Sequence, residues 1–263
     1  MTAIQGTALV TGASGGIGQA IARALAARGA DVVLTGRRAE VLEPLAAELG
    51  GRALAVDLAE RDAVARLVEQ AGEVEILVAN AALPASGTLD DYSGDQVERA
   101  LDVNLLAPIQ LARLLSEQMA PRGRGHLVFI SSLSGRAAAG GSALYSATKF
   151  GLRGFALSLR EDLRASGVGV STIFPGFIRD AGMFARADVK LPPGVGTRSP
   201  EDVAAAVVRA IERNKAEVDV APLGLRAGAI FSGIAPELAL NSSRRMGGAR
   251  IAEGLAAGGR DHR

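Results

Sequence analysis

The feature that most constrains the fold is a repeated alternation of two kinds of segment. Short runs of apolar, often β-branched residues alternate with longer segments, rich in Ala, Leu, Arg and Glu, that have helical period. Strands of a parallel sheet are buried on both faces and need crossover helices between them. The alternation therefore predicts an α/β fold: one Rossmann-like, doubly wound parallel sheet of about seven strands with helices on both faces.

The apolar runs place the strands at residues 7–10, 31–35, 52–56, 75–79, 125–130, 168–174 and 217–220. The intervening segments predict helices to about residue 28 and over 39–49, 61–71, 93–119, 143–165 and 200–214. No internal repeat and no linker interrupts the pattern. We therefore expect residues 1–263 to form a single dinucleotide-binding and catalytic domain.

Composition narrows the classes of function. The net charge is +1 and only 3% of the residues are aromatic, so neither a basic face nor a stacking platform favours a nucleic-acid partner. The chain has no cysteine and two histidines, His126 and His262, so we expect no metal site. His126 opens an apolar run and is interpreted as structural. Acid and base chemistry must then come from Tyr, Lys, Asp or Glu side chains.

A glycine turn follows the first strand. Glycines at a strand-to-helix junction permit a tight turn and let backbone N–H groups approach a phosphate, which the helix N-terminus also attracts. The glycine spacing differs from the G-x-G-x-x-G fingerprint, so that motif is not matched. The residues of the turn expected to contact a cofactor are Gly12, Ser14, Gly16, Ile17 and Gly18.

The ends of the second and third strands bear on the choice of cofactor. The second ends at Gly36, Arg37 and Arg38, where an acidic residue would bind a ribose 2′-hydroxyl and an arginine a 2′-phosphate. We favour NADP(H) over NAD(H); alternatively, both arginines begin the next helix in solvent. Asp57 and Leu58 follow the third strand and could hold the adenine edge, while Asp57 could also cap the helix over 61–71.

The remaining strand ends predict one shared rim, because ligands of open α/β sheets bind outside the carboxyl ends of the strands. Asn80 and Ala81 follow the fourth strand, where small side chains would let a ring or ribose approach, although such residues also occur there without a ligand. Ser132 follows the fifth strand. Pro175 and Gly176 follow the sixth.

Tyr145 and Lys149 lie four residues apart on a predicted helix and so face the same side. A nearby cation favours the phenolate, which would lower the pKa of Tyr145 and make the pair an acid/base couple. The alternative is a half-buried tyrosine beside a solvated lysine. Asn104 lies within another predicted helix, where its poor helix propensity suggests a local kink that holds a water; Pro108 could share in the bend.

Two segments lack regular signals. Residues 177–200 form a long apolar loop, and we expect 180–198 to be a substrate lid. Leu83, Pro84, Phe177, Met183 and Phe184 would line an apolar wall.

The other segment is a C-terminal extension, residues 221–263, with an apolar run interrupted by glycines and a flexible end. It could pack on the protein or a neighbouring subunit, cover the substrate site, or lie on a membrane, and we place subunit or self-packing first. The first residues lack the pattern of a signal peptide, and no apolar run is long enough to cross a bilayer. We therefore expect a cytoplasmic protein.

Residues 6–220 resemble the short-chain dehydrogenase/reductase family. The motifs that carry the resemblance are Thr11-Gly12-x-x-x-Gly16-x-Gly18, Asp57, Asn80-Ala81, Asn104, Ser132, Tyr145-x-x-x-Lys149 and Pro175-Gly176, in the family's order. Each motif alone is weak, but the set is very specific.

The resemblance implies roles for the catalytic set. Tyr145 would give or take the proton, Ser132 would hydrogen-bond the substrate oxygen, and Asn104 would hold a water of the proton relay. Lys149 would lower the pKa of Tyr145 and bind the nicotinamide ribose. Hydride transfer would take place at the nicotinamide C4.

The chain departs from the family pattern at two places. Ala79-Asn80-Ala81-Ala82 stands where the family usually has Asn-Asn-Ala-Gly. Arg179-Asp180 occupies a region where many members have a threonine that binds the nicotinamide carboxamide, which leaves open how that group is held.

We therefore predict an NADP(H)-dependent oxidoreductase that interconverts a carbonyl and a secondary alcohol on a hydrophobic substrate, such as a ketone, a steroid-like molecule or a 3-oxoacyl compound. A catalytically silent NADP(H)-binding sensor or scaffold is the alternative from another class, and an epimerase or dehydratase on the same fold is a third. The resemblance also implies a homodimer or homotetramer through the helices near 93–119 and 143–165.

Overall fold

The carboxyl ends of seven parallel strands are brought to one edge of a single sheet. The computed structural model describes residues 4–187, 189, 191, 195–245 and 248–259. The strand order is β3-β2-β1-β4-β5-β6-β7, and every pairing is parallel. The order reverses between β1 and β4, which confirms the doubly wound sheet. The strands are β1 (Thr7–Thr11), β2 (Asp31–Gly36), β3 (Arg52–Ala55), β4 (Ile76–Ala79), β5 (His126–Ile130), β6 (Gly169–Pro175) and β7 (Glu217–Val220).

Helices cover both faces of the sheet. Alternate strand residues point to opposite faces, so Val10 joins a core with α1, α2 and α8, while Leu9 joins a second core with α3, α5 and α6. The helices are α1 (Gly16–Ala26), α2 (Ala39–Leu49), α3 (Ala63–Ala71), α4 (Gly94–Leu101), α5 (Ala107–Arg122), α6 (Ala143–Asp162), α7 (Gly182–Arg186), α8 (Pro200–Glu212), α9 (Leu223–Ile234), α10 (Pro236–Arg245) and α11 (Gly248–Gly259).

The helix predicted over 93–119 is interrupted. A π-helical turn, Asp102–Leu106, separates α4 from α5 and contains Asn104, so the irregularity lies where the asparagine predicted it. Pro108 lies in the first turn of α5, directly after this π-helical turn. The proline cannot donate a backbone hydrogen bond to the preceding turn, so it contributes to the irregularity together with Asn104.

The helix expected over 61–71 begins at Ala63, and the residue before it is Asp62, which has a left-handed backbone. The capping role offered for Asp57 is therefore wrong.

The C-terminal extension is helical where flexibility was expected. Its three helices are α9, α10 and α11, of which α9 packs on α10 and α11 packs on both α10 and α7. These contacts compensate for the weak helix propensity of Gly228 and Gly233. The extension thus packs on the protein itself. Residues 246–247 and 260–263, which also belonged to the predicted flexible end, lie outside the described part.

Among the described residues, no helix is long and apolar enough to cross a membrane.

Candidate active site

A cavity of about 740 Å³ lies along the carboxyl edge of the sheet. It extends from the glycine turn after β1 to the helices of the C-terminal extension. The sequence-predicted site residues that line it are Gly12, Ser14, Gly16, Ile17, Gly18, Arg37, Asp57, Leu58, Asn80, Ala81, Ser132, Tyr145, Lys149, Pro175 and Gly176. Asn104 is the predicted site residue that does not line the cavity.

The glycine turn leaves no room for side chains at two positions. Gly12 has a φ of +65°, and a Cβ there would lie 2.8 Å from the Cα of Ala81. A Cβ on Gly18 would lie 2.4 Å from the carbonyl oxygen of Gly12. These two glycines let the turn pack closely on itself and on the end of β4, and the turn leads into the first N–H groups of α1, which are of the kind that bind phosphate. The residues present therefore fit the pyrophosphate of a dinucleotide.

Asn80 braces this turn from the end of β4. Its Nδ2 donates to the carbonyl oxygens of Thr11 at 2.9 Å and Gly12 at 3.2 Å. The Thr11 hydroxyl oxygen accepts from the backbone N–H groups of Asn80 and Ala81, both at 3.0 Å. Two neighbouring strand ends are thereby locked together. Sequence reasoning included Thr11 in the motif but gave it no role, because its partners are about seventy residues away in the chain.

Two arginines lie at the carboxyl end of β2, and both line the cavity. Arg38 donates to the carbonyl oxygen of Ser14 at 2.6 Å, so it ties the end of β2 to the glycine turn. Sequence reasoning selected Arg37 and left Arg38 without a site role. The two adjacent arginines in the sequence indicated a positively charged site, but they did not show which arginine holds the backbone and which one faces a ligand.

Asp57 is paired within the protein. Its Oδ1 accepts from the N–H of Ala59 at 3.0 Å, and its Oδ2 lies 2.6 Å from Arg99. Burial alone would raise the pKa of this carboxyl group, but the bonds from Ala59 and Arg99, with the charges of Arg99 and Arg37, leave it lowered. Asp57 is therefore held in its ionised form at the adenine-side wall predicted for it. Arg99, about forty residues away, was not identified from the sequence.

Tyr145 and Lys149 occupy the first two turns of α6 and line the cavity with Ser132. Burial raises the pKa of Tyr145 to about 12, and a hydrogen bond with Ser132 acts in the opposite direction. The sequence predicted a lowered pKa for this phenol. The structure gives the opposite direction, because loss of hydration on burial outweighs the stabilisation of the phenolate.

Lys149 is fixed by the strand behind it. Its Nζ donates to the carbonyl oxygen of Ile130 at 3.0 Å, and its own carbonyl oxygen accepts from the Ser131 hydroxyl at 3.1 Å. The Nζ lies 5.7 Å from the centre of the Tyr145 ring. Burial lowers the pKa of Lys149 to about 8. The side chain is thus buried and oriented, in contrast to the solvated lysine of the alternative interpretation.

Asn104 lies behind the cavity wall. Its Oδ1 accepts from the N–H of Leu83 at 2.7 Å, and its Nδ2 donates to the carbonyl oxygen of Leu83 at 3.0 Å. This side chain fixes the segment after β4, of which Leu83 and Pro84 line the cavity. The water-holding role implied by the family resemblance stays a prediction.

The far half of the cavity is lined mainly by apolar side chains, with serines such as Ser232 and Ser242 among them, and it is closed by three segments. Leu83 and Pro84 line it, as do Phe177 and Phe184 from the loop after β6. The side chain of Met183, also expected here, lies outside the described residues.

The extension contributes wall residues that sequence reasoning did not identify. They are Gly224, Leu225, Gly228, Ala229, Phe231, Ser232, Ala239, Ser242, Ser243 and Leu255. The apolar run over 225–240 was the available signal, but its place in the fold depends on long-range packing.

The loop after β6 is held at both ends. Ile178 pairs with Arg198 in an isolated β-bridge, and the N–H of Arg179 donates to the carbonyl oxygen of Arg198 at 2.9 Å. Arg179 and Asp180 do not line the cavity, whereas Ile178 and Ala181 do. At this end of the cavity the loop therefore presents apolar residues and glycine, and neither of the two charged side chains.

The charged residues that line the cavity, within the part of the chain described, are Arg37, Arg38, Asp57 and Lys149. Three of them, Arg37, Asp57 and Lys149, were predicted as cofactor contacts, and Arg38 is the neighbour of Arg37 in the chain. Over the same residues, no group of three or more His, Asp or Glu side chains is arranged to hold a metal ion.

The fold and the cavity define an α/β protein of the dinucleotide-binding class, with a buried tyrosine and a buried lysine side by side at the cavity. Comparison with known proteins gives the family. The model of the short-chain dehydrogenases matches residues 6–190, and the chain belongs to this family of oxidoreductases, which use nicotinamide cofactors.

Two curated relatives illustrate the similarity. The ketoacyl reductase HetN of Nostoc sp. is 37% identical over 230 residues, which cover 84% of this chain and 80% of that protein. Nodulation protein G of Rhizobium sp. is 42% identical over 180 residues, which cover 66% of this chain and 74% of that protein.

Two solved structures show the same fold. A short-chain dehydrogenase from Sphingobium yanoikuyae in complex with NADPH has a TM-score of 0.76 and 28% identity, covering 88% of this chain and 94% of that one. A metagenomic short-chain oxidoreductase in complex with NADP has a TM-score of 0.69 and 34% identity, covering 84% of this chain and 99% of that one.

Proposed function

We propose that this protein is an NADP(H)-dependent oxidoreductase that interconverts a carbonyl and a secondary alcohol on an uncharged hydrophobic substrate. The observation that carries the proposal is the meeting of Ser132, Tyr145 and Lys149 at one cavity with the glycine turn. The bound nicotinamide supplies or accepts the hydride, and the protein supplies position and proton transfer.

In carbonyl reduction, the Tyr145 hydroxyl gives its proton to the substrate oxygen, to which the Ser132 hydroxyl also donates a hydrogen bond. With a pKa of about 12 the Tyr145 phenol is protonated at neutral pH, as a proton donor must be, and its burial makes the loss of that proton costly. The Lys149 ammonium stabilises the phenolate that remains after the transfer and binds the nicotinamide ribose. In alcohol oxidation, the same groups act in reverse.

NADP(H) is favoured over NAD(H) by the charge at the end of β2. Gly36 offers no carboxylate for a ribose 2′-hydroxyl, while Arg37 and Arg38 both line the cavity. The guanidinium group of Arg37 would pair with the 2′-phosphate. NADPH and NADP are also the cofactors bound in the two structural relatives described above.

The substrate class follows from the far half of the cavity. That half is lined by Leu83, Phe177, Phe184, Phe231 and Leu255 together with a few serines, and the charged residues of the lining all lie in the cofactor half. A neutral ketone, a steroid-like molecule or a 3-oxoacyl thioester suits such a wall better than a sugar. HetN, the relative from Nostoc sp., is named a ketoacyl reductase, and this name supports 3-oxoacyl thioesters as one of the proposed substrate classes.

We further propose a homodimer or homotetramer through α4, α5 and α6. Exposed apolar side chains lie on this part of the surface, at Leu101, Leu106, Phe150 and Leu157. Light scattering of the purified protein tests this assembly, and a lone monomer would contradict it.

The reaction is tested by following cofactor absorbance with NADPH and NADH against hydrophobic ketones and 3-oxoacyl thioesters. Tyr145→Phe is expected to lower kcat by about a hundredfold or more, because the proton donor is lost.

Tyr92→Phe is the matched control: the Tyr92 hydroxyl donates to the Ser86 carbonyl oxygen at 2.7 Å, and Tyr92 does not line the cavity. Undiminished hydride transfer in Tyr145→Phe would refute the mechanism. Tight NADPH binding without turnover on any substrate would favour the sensor instead.

A further inference from the structure

The helices α9 and α10 expose more apolar surface than the rest of the fold. Of the ten large apolar side chains that are exposed in the described part of the chain, five lie within residues 223–238. Their exposed fractions are 76% for Leu223, 58% for Ile230, 45% for Phe231, 78% for Ile234 and 63% for Leu238. We call these five side chains the α9–α10 face. A concentration of this kind marks an interaction surface.

Three of the five side chains of the α9–α10 face lie on the side of α9 away from the cavity. Leu223, Ile230 and Ile234 follow one another at offsets of seven and four residues, which places them along one side of the helix. They do not line the cavity, whereas Leu225 and Ala229, on the other side, do. Phe231 lies between the two sides, because it lines the cavity and is also exposed. The exposed face therefore reaches the edge of the substrate cavity.

The segment that contains α9 and α10 carries more positive than negative charge. Residues 223–245 contain three arginines, Arg226, Arg244 and Arg245, and one acidic residue, Glu237. Arg226 lies 3.7 Å from Asp219, while Arg244 and Arg245 are exposed at the end of α10. An apolar helix face bordered by arginines has the composition of a helix that lies in the interface of an anionic bilayer.

The same charges argue against a second copy of the chain as the occupant of this face. Two copies meeting through it would carry an excess of positive charge into one interface, from Arg244 and Arg245 of each copy, and like charges across an interface are costly. An anionic lipid surface attracts those arginines while the apolar side chains enter the headgroup region. Since α9 has 12 residues and α10 has 10, both helices can lie on a bilayer, and neither can span one.

We propose that the α9–α10 face docks this protein on an anionic lipid bilayer, with the substrate cavity opening beside the lipid. The proposal rests on the exposed face and its charges, and it is independent of the reaction proposed above. A hydrophobic substrate dissolved in the lipid would then reach the apolar half of the cavity without crossing water.

The test is co-sedimentation of the full chain with vesicles of phosphatidylcholine, with and without phosphatidylglycerol. We expect binding to the vesicles that contain phosphatidylglycerol, and weaker binding as salt is raised. The triple variant Leu223→Gln, Ile230→Gln, Ile234→Gln should bind these vesicles at least about tenfold more weakly than the unmodified chain. Its three positions avoid the cavity, so NADPH binding and circular dichroism report whether the fold is intact.

Leu89→Gln is the matched control, since Leu89 is 61% exposed but lies on a separate segment between β4 and α4. It should bind the vesicles as the unmodified chain does. Arg244→Gln with Arg245→Gln should weaken binding to the anionic vesicles alone.

Three results would overturn the proposal. They are no binding to any vesicle, equal binding to vesicles with and without phosphatidylglycerol, and binding that the triple variant leaves unchanged. A dimer that becomes a monomer in the triple variant, without vesicle binding, would assign the face to a second copy.

Discussion

Asn104 pairs with both polar groups of Leu83: its Oδ1 accepts from the Leu83 N–H at 2.7 Å, and its Nδ2 donates to the Leu83 carbonyl oxygen at 3.0 Å. Asn104 is 1% exposed and lies in the π-helical turn between α4 and α5. One amide thus joins an irregular helix turn to the backbone that lines the cavity.

Asn104→Ala should destabilise the protein by about 2–4 kcal/mol, because two buried backbone groups of Leu83 lose their partners. Turnover should fall as well, since Leu83 and Pro84 would no longer hold the cavity wall in place. Urea unfolding measures the first effect and cofactor oxidation the second. Asn104→Asp keeps the acceptor and loses the donor, so it should still bond the Leu83 N–H while leaving the carbonyl oxygen unpaired. Unchanged stability in Asn104→Ala would show that this pairing contributes nothing.

The pH dependence of carbonyl reduction should follow Lys149. Burial lowers the pKa of Lys149 to about 8, while that of Tyr145 is raised to about 12. The lysine is cationic below about pH 8 and loses its charge above it, while the tyrosine stays protonated. We therefore expect kcat/KM, which reports groups of the free enzyme, to fall above about pH 8.

The control for this profile is Lys149→Met, which should have low activity and no inflection near that pH. An inflection that persists in Lys149→Met would assign it to another group. Circular dichroism across the same pH range separates titration from unfolding.

Cofactor choice should depend on Arg37. Losing a charge-assisted bond to the 2′-phosphate costs about 1.5–3 kcal/mol, so Arg37→Ala should lower kcat/KM for NADPH by roughly 10- to 100-fold. NADH has no 2′-phosphate, and its kcat/KM should change little.

Arg38→Ala is the comparison variant. Arg38 holds the Ser14 carbonyl oxygen of the glycine turn, which both cofactors would use, so its loss should impair both. Equal losses with NADPH and NADH in Arg37→Ala would remove the basis for the NADP(H) preference.

Acid stability should depend on His126, which begins β5 at the edge of the sheet opposite the cavity. Its Nε2 lies 2.8 Å from the Ser171 hydroxyl, which itself donates to the Lys215 carbonyl oxygen at 2.6 Å. The serine proton is therefore engaged, and Nε2–H must donate. Burial, with a smaller contribution from the charge of Arg160, lowers the pKa of His126 to about 4 from 6.5.

The sign of the effect follows from proton binding. Between about pH 6.5 and pH 4 the unfolded chain binds the His126 proton and the folded chain does not, so stability falls as the pH falls through this range. The loss attributable to His126 approaches about 3 kcal/mol. This loss is measured as the difference in the free energy of urea unfolding between about pH 7 and about pH 4.5, two values that span most of the range. His126→Gln should be less stable at neutral pH but should lose less on acidification, and the same loss in both proteins would contradict the assignment.

Several features could be predicted from the sequence because they depend on neighbouring residues. The alternation of buried strands with helices specified the doubly wound sheet, and the glycines after β1 specified a turn that only glycine accommodates at Gly12. The four-residue spacing of Tyr145 and Lys149 put both side chains on one face of α6. Each of these follows from local backbone geometry, which the sequence encodes directly.

Other features were decided by tertiary structure, because they depend on which distant residues meet. The partners of Asn104 and Arg38 are backbone groups about twenty residues or more away. The pKa of Tyr145 rises because α6 is buried, and the degree of burial cannot be read from a Tyr-x-x-x-Lys pattern. The helices of the extension have weak helix propensity, and they form because they pack against each other and against the loop after β6. The same packing closes the cavity and leaves Leu223, Ile230 and Ile234 exposed.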